Sequence, residues 1–287
     1  MTFTVVIPAC GRPETLARCL RALPVDADVI VSDDSPDDGV RSLVAGNFGR
    51  VRHLAGPRRG PAANRNHGAK AATGDWIAFI DDDCEPQPGW IEALGAAAGG
   101  GDVVEGRTTA PGARDTPFEE HVENLTGGLL WSSNLAIRRA CFFELGGFDE
   151  DFGEAGGEDM ELAWRIARAG CQVRFAPEAL VHHPPRRVGW RGLWRRTWMI
   201  RWMSLYRLKT GQARPIPSMI LSETANLMRL SFHLFARPEP RRWRRRLFAV
   251  GWQWLTFPLV LPWCIYWDLR FRKMLAGPAT ARDPHPS

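Results

Sequence analysis

No two of the six cysteines, at positions 10, 19, 84, 141, 171 and 264, form a CxxC pair. That argues against a zinc ribbon and against a disulfide framework, and fits a reducing compartment. A basic leader is missing too: the apolar run at residues 4–7 is too short for a signal peptide. With 45% apolar and 24% charged residues over 287 positions, the chain reads as one or two folded domains rather than a disordered one. What the last hundred residues lack is acid. Residues 187–287 hold only Glu223, Glu239, Asp268 and Asp283 against 19 of the 37 lysines and arginines, a net of +15. Residues 1–186 are left at −10, and nine of the 13 tryptophans lie beyond them. The shift places a boundary near Pro184-Pro185. It predicts a domain at 1–186, a basic helical membrane-associated region at 187–275 and a disordered tail at 276–287.

The acidic part is organised around Trp76-Ile77-Ala78-Phe79-Ile80-Asp81-Asp82-Asp83. An apolar run of that length reads as a buried strand, and it ends in three carboxylates. Carboxylates at the C-terminal end of a buried strand mark the ligand edge of an open α/β sheet. Adjacent carboxylates repel one another, and a hard divalent cation that bridges to phosphate oxygens relieves the repulsion. The plainer alternative is a solvated acidic turn.

The same arrangement occurs upstream. Residues 3–7 read as a strand, and Leu16, Cys19, Leu20 and Leu23 set a helix over 14–23. Residues 28–31 form a second strand ending in Ser32-Asp33-Asp34-Ser35. Strand, helix, strand begins a parallel sheet with right-handed crossovers. Asp33 and Asp34 can accept from a nucleobase N–H or a ribose hydroxyl, or close an Asx-type turn. A weaker strand at 51–54 precedes a helix at 60–72, where Arg65 offers a planar guanidinium to a diphosphate. Strands at 103–106, 129–139 and 172–175 and helices at 89–98 and 160–169 follow, around a poorly patterned stretch at 107–130. In the last helix Leu162, Ile166 and Ala169 are expected to face inward. Glu158 and Asp159 stand at its N-terminus, where negative charge is stabilised. They are either ordinary helix-start carboxylates or a general base set against a substrate hydroxyl. A nearby imidazole, His182 or His183, could join a metal's ligands.

Taken in order, these motifs resemble glycosyltransferase family 2 over roughly residues 3–183. They are Val5-Val6-Ile7-Pro8, Val31-Ser32-Asp33-Asp34-Ser35, Asn64-Arg65-Asn66-His67-Gly68 and Phe79-Ile80-Asp81-Asp82-Asp83. Asn134-Leu135-Ala136-Ile137-Arg138-Arg139, Gly146-Gly147-Phe148-Asp149-Glu150, Glu158-Asp159-Met160-Glu161-Leu162-Ala163-Trp164-Arg165 and the late histidine complete the set. The resemblance implies the GT-A fold, a mostly parallel mixed α/β sheet flanked by helices. It implies inverting transfer from a nucleoside-diphosphate sugar, with Mn²⁺ or Mg²⁺. By the same resemblance Pro8, Asp33, Asp34, Arg65, Asp81 and Asp82 bind the nucleotide sugar. Asp83 binds metal, with Asp81 and either His182 or His183; Asp159 is the base, with Glu158 beside it. Trp131, Asn134, Trp164 and Arg165 line the donor-sugar or acceptor pocket. Two departures stand out: Ser35-Pro36 replaces a frequent Gly-Ser, and Trp131-Ser132-Ser133 stands where a glycine is common.

In the basic part Trp190, Trp194, Trp198, Trp202 and Tyr206 fall four apart, one aromatic stripe on a helix. Arg191, Arg195, Arg196, Arg201 and Arg207 lie among them, which suits an anionic membrane interface. The alternative is a helix packed on protein, with arginines stacked over tryptophans. Residues 247–267 carry no charge over 21 positions, enough to cross a bilayer. Gln253, Pro258 and Pro262 interrupt the run and basic residues flank both ends. An in-plane or re-entrant hairpin at the cytoplasmic face is therefore expected, with a single spanning helix second. Such an anchor implies an acceptor held at the membrane, a lipid-linked saccharide or glycolipid. The competing readings are a sugar-nucleotide nucleotidyltransferase, an inactive sugar-nucleotide binder and a nucleic-acid binder; the net −10 of residues 1–186 opposes the last.

Overall fold

The computed structural model describes residues 1–112, 118–218 and 243–276, with 220, 221, 224, 225 and 228. The tail expected to be disordered lies outside the described residues from position 277 onward. Two compact units form: Met1–Ala113 with Glu120–Arg186, and Arg114–Glu119 with Arg187–Ser287.

The first unit begins β1 (Phe3–Ala9), α1 (Pro13–Ala22), β2 (Asp28–Asp33), α2 (Gly39–Asn47), β3 (Arg52–Ala55), α3 (Pro61–Lys70) and β4 (Trp76–Phe79). It continues with β5 (Glu85–Pro86), α4 (Trp90–Ala98) and β6 (Val103–Thr109). After the two-residue β7 (Glu119–Glu120) come β8 (Leu135–Arg138), α5 (Arg139–Glu144), α6 (Glu158–Arg168) and β9 (Val173–His182). Another two-residue strand, β10 (Arg186–Arg187), follows. Eight strands make one sheet in the order β3-β2-β1-β4-β8-β6-β9-β5. The first four run parallel; β8 is antiparallel to both β4 and β6, and β6 runs parallel to β9.

Both faces of this sheet are covered. Val5, Ile7, Val29, Val31, Trp76, Ala78 and Ile80 pack with Leu16, Leu20 and Leu94 of α1 and α4. The alternate residues Val6, Ile30, Ile77 and Phe79 pack with Ala62, Ala69, Leu162 and Ile166 of α3 and α6. A strand buried on both faces has no polar positions to alternate with, which is why 76–80 reads as an unbroken apolar run.

Three local expectations change. α2 and the six-residue α5 were not foreseen; α2 begins inside an acidic turn, and α5 is too short to show a period. Ala169 caps α6 and is exposed, while Leu162 and Ile166 carry its buried face. The strand expected over 129–139 shrinks to β8, preceded by a 3₁₀ turn at Ser132–Asn134. The cause is Glu105, buried on β6. Its carboxylate accepts from Asn124 Nδ2 at 2.6 Å, Gly128 N at 2.5 Å, Leu129 N at 2.8 Å and from Leu130 N. Backbone donors aimed at one carboxylate cannot serve a sheet ladder, and Leu130 takes φ 52° to supply its own.

The second unit contains α7 (Trp190–Met199), α8 (Arg201–Lys209) and α9 (Trp243–Leu275). The tryptophan stripe packs on α9. Ring centroids lie 5.1 Å apart for Trp194–Trp252, 4.9 Å for Trp198–Trp263 and 5.9 Å for Trp202–Phe271. Where a hairpin was expected, α9 runs unbroken through Pro258 and Pro262. An interior proline costs about 3 kcal/mol. Burial of several large rings, at about 1.5–3 kcal/mol each, outweighs two of them.

α3 approaches β1 closely at Gly68, where a Cβ would lie 2.6 Å from Val6 Cγ1. Gly68→Ala gains about 1 kcal/mol of helix propensity but forces overpacking at about 1–3 kcal/mol. Net destabilisation is expected in urea unfolding; a stabilised variant would show that helix and strand can separate freely.

Candidate active site

Register puts the carboxyl ends of β1, β2 and β4 at one edge of the sheet, with Ala9 opposite Asp33 and Val6 opposite Phe79. Asp81, Asp82 and Asp83 leave β4 there. Arg65, buried on α3, donates from Nη2 to Asp81 Oδ1 at 2.8 Å and from Nη1 to Glu158 Oε1 at 3.3 Å. Its guanidinium carbon lies 5.6 Å from the Phe148 ring centroid. One cation thus joins the acidic triplet to the N-terminus of α6. Burial works to raise the Asp81 pKa, but Arg65 outweighs it and holds the group below its ordinary value.

Asp159 shows the opposite result. Burial first, and then the charge of Glu158, push its pKa up to about 7 against the pull of Arg65. The Ser132 hydroxyl faces this carboxyl and opposes the rise slightly; the Ser133 hydroxyl is buried without a hydrogen-bond partner. Glu158 is fixed more firmly, its Oε2 accepting from Gly156 N at 2.7 Å. A half-buried carboxyl that titrates near neutrality is matched to general-base work at physiological pH.

The outer carboxylates meet two arginines. Arg12 pairs with Asp82 Oδ1 and donates from Nη1 to Asp83 Oδ2 at 2.8 Å. Arg186 pairs with the same Asp83 oxygen. Burial raises Asp82 to about 7; Arg12 opposes it, and Asp83 and Asp81 add to it. Asp83 Oδ1, also buried, has no hydrogen-bond donor and lies 3.6 Å from His183 Nε2. His183 Nδ1 is 3.3 Å from the Pro184 carbonyl, which can only accept, so Nδ1 carries the proton of the neutral ring. Two lone-pair atoms, carboxylate oxygen and imidazole nitrogen, then face each other, a donor set that fits a divalent cation. Cys84 joins them within 4.8 Å, but burial holds its thiol pKa well above the ordinary value. Of the two candidate histidines, His183 is the one brought to Asp83; His182 ends β9 opposite Glu85.

Asp33 and Asp34 are held from within the protein. Asp33 accepts from Ser35 N at 2.9 Å and lies 2.9 Å from His53 Nε2. Asp34 accepts from Arg58 N at 2.8 Å, and burial raises its pKa. The backbone at Gly56 folds over it so closely that a Cβ would lie 2.2 Å from Asp34 Oδ1. Pro8 sits near the end of β1, opposite Ser32.

The residues expected at the sugar pocket are dispersed. Asn134 is a strap inside the fold: its oxygen accepts from Trp90 Nε1 at 2.9 Å, and its amide donates to Arg107 O and Ala179 O. With both amide hydrogens and the oxygen engaged, it offers nothing to a sugar. Arg165 donates hydrogen bonds from Nε and Nη2 to the Glu161 carboxylate and from Nη1 to Leu145 O. Trp164 carries Arg168 over its ring at 5.3 Å, about 10 Å along α6 from its first turn. Trp131 stays close to the site, directly before Ser132. Arg65 likewise differs from the expectation: it lies among the carboxylates, with both terminal nitrogens engaged there.

Arg12, Arg186 and Glu105 went unnoticed in the sequence. Arg12 lies in an ordinary-looking turn and Arg186 at the first basic residues past His182-His183-Pro184-Pro185. Their only local signal is a cation near a motif turn. Glu105 had a stronger one, a carboxylate directly after the apolar pair Val103-Val104 of a strand.

Residues 4–143 match the model of glycosyl transferase family 2, and residues 114–184 match that of the N-terminal domain of galactosyltransferase. A pre-mycofactocin glycosyltransferase of Mycobacterium tuberculosis is 31% identical over 205 residues, 64% of this chain and 43% of that protein. A glucosyl-dolichyl phosphate glucuronosyltransferase of Haloferax volcanii is 31% identical over 185 residues, 54% of this chain and 58% of that protein. The chain therefore spans about half the length of these curated relatives. A mannosyltransferase of Pyrobaculum calidifontis, solved with GDP-Man and Mn²⁺, superimposes at a TM-score of 0.57. It is 20% identical, over 93% of this chain and 86% of that one, a likeness of fold. The mixed sheet flanked by helices is the GT-A-like architecture the motifs implied.

Asp159→Asn removes a carboxyl whose folded pKa is about 7 against an ordinary 3.8. Such a group contributes stability below about pH 4, which is lost as pH rises through 7. The variant is expected to melt higher than the parent at pH 8 and equally at pH 4. Equal melting at both would show that Asp159 is not buried against Glu158.

Proposed function

Residues 4–143 form a glycosyl transferase family 2 domain, and from that premise we propose that this chain is an inverting glycosyltransferase using a nucleoside-diphosphate sugar. The observation that carries the reading is Arg65, which brings Asp81 and Glu158 together, with Asp159 beside them. A leaving-group site and a proton acceptor then share one edge of the sheet. Asp159 takes the proton of an acceptor hydroxyl. The hydroxyl oxygen attacks the anomeric carbon from the face opposite the nucleoside diphosphate, and no sugar–protein bond forms. Partial burial of the Asp159 carboxyl raises its basicity toward the working pH.

Asp83 and His183 would hold Mn²⁺ or Mg²⁺, which supplies positive charge to the departing diphosphate. Arg12 and Arg186 already place cationic groups at this position. Asp33 and Asp34 orient the loop that would receive the nucleoside. The Mn²⁺ and GDP-Man in the Pyrobaculum neighbour support this assignment. A nucleotidyltransferase would give the Glu158-Asp159 pair no task, which favours the transferase.

The second unit supports a membrane surface as partner. α9 has a stretch, Leu247–Leu275, long and apolar enough to cross a bilayer. Leu247, Trp254, Leu255, Leu259, Tyr266 and Leu269 are exposed along one side of it. Trp252, Trp263 and Phe271 pack onto α7 and α8. Those helices carry Arg191, Arg195, Arg201, Arg207 and Lys209. If α9 spanned the bilayer, its packed partners would bring these charges into hydrocarbon, at about 2.5–3.5 kcal/mol each near the centre. The helix therefore lies in the plane of the headgroups, apolar side down, and the net +15 of residues 187–287 selects anionic lipid. An acceptor held in that surface, a lipid-linked saccharide or glycolipid, follows from the placement.

Four measurements test these readings. Nucleoside-diphosphate sugars are screened for transfer or hydrolysis with and without Mn²⁺. Asp159→Asn should then lose at least ~10²-fold in turnover while donor binding survives. Turnover that persists in Asp159→Asn removes the base assignment. High-pH carbonate should release the protein completely from membranes. Leu255→Glu with Leu259→Glu should weaken co-sedimentation with anionic vesicles by ~10-fold or more; retention after carbonate would establish a spanning helix instead.

A further inference from the structure

Cys141 and Cys171 stand 30 residues apart in sequence, yet their sulfur atoms are 3.4 Å apart. Cys141 lies buried in α5, and Cys171 follows the Gly170 turn that ends α6, half-buried. The sulfurs of Cys10 and Cys19 face backbone carbonyls instead, Asp34 O and Asp81 O. The segment between positions 141 and 171 carries the carboxylates of α6. Its far side is tied down by Asn66, which donates to Phe148 O at 2.8 Å and to Glu150 Oε1 at 3.0 Å.

We propose that Cys141 and Cys171 are a reversible disulfide site, whose closure joins the two ends of the segment bearing Glu158 and Asp159. The contact distance leaves the sulfurs within about 1.4 Å of bonding range, a matter of side-chain rotation. The oxidant is a low-molecular-weight disulfide such as oxidised glutathione. The half-exposed Cys171, as thiolate, attacks one sulfur of the reagent, breaks its S–S bond and releases one glutathione thiolate. Cys141 then gives its proton to water and attacks the Cys171 sulfur, displacing the second glutathione thiolate. Two protein thiols are oxidised and one reagent disulfide is reduced to two thiols. The order follows from burial, which pushes the Cys141 thiol up to about 12, with its hydrogen bond to Cys171 adding to the effect. The site is independent of which sugar, if any, the protein transfers.

The folded full-length chain is incubated with oxidised glutathione, alkylated with iodoacetamide, digested and weighed. A cross-linked peptide pair containing Cys141 and Cys171 is expected, two hydrogens lighter than the separate thiol peptides. Closing a loop of this length should raise the melting temperature by roughly 5 °C, and dithiothreitol should reverse it. Cys171→Ser should lose both the cross-link and the shift, while exposed Cys10 still takes glutathione. Alkylation at both Cys141 and Cys171 after oxidant overturns the proposal, as does glutathione left on Cys171 without the cross-link. An equal melting shift in Cys171→Ser overturns it as well.

Discussion

A single buried guanidinium holds the acidic edge of this sheet together. Arg65 stands between Asp81 and Glu158, so that carboxylates from the end of β4 and the start of α6 can share one cleft. Five acidic groups in such a space repel strongly in a medium of low dielectric. Ion pairs of this kind add little net stability, because desolvation cancels most of the attraction. What they contribute is position. Arg65 holds Asp81 below its ordinary pKa, while burial, with the neighbouring carboxylates adding to it, raises Asp159 and Asp82.

The cluster therefore contains carboxylates that arginines fix in place and two whose pKa values rise. Arg12 and Arg186 clamp the outer pair, and Asp83 keeps one oxygen directed at His183. Glu105 plays a comparable part at a distance. By collecting backbone donors from residues 128–130, it folds the loop that delivers Ser132 and Ser133 to the neighbourhood of the cleft. Asn134 locks the end of that loop to Trp90 and to the strand carbonyls. Asn134, expected to touch sugar, is thus spent on holding the fold together.

The basic unit follows a different physical rule. Trp194, Trp198 and Trp202 pack on α9, and the apolar side chains left exposed include leucines, Trp190, Trp254 and Tyr266. Arg201 lies over Trp202 and Trp267, at 4.8 and 5.2 Å from the ring centroids, so part of the aromatic and basic pattern is satisfied internally. Aromatic spacing alone did not distinguish a stripe facing lipid from one facing another helix. Both need rings four apart.

The amino-acid sequence by itself determined most of the order of strands and helices, though not α2 or α5, together with the acidic ends of β2 and β4 and the change in charge near position 186. These are local properties: burial writes itself into apolar runs, and a carboxylate at a strand end is visible within a few residues. Tertiary structure alone decided which charges meet. Arg65 and Glu158 are 93 positions apart, and Arg186 and Asp83 are 103 apart, so no local pattern joins them. It also chose His183 over its neighbour as the partner of Asp83, turned Asn134 inward and carried α9 straight through two prolines. In each case the outcome rests on contacts between distant segments, whose energies exceed the local preferences that the sequence displays.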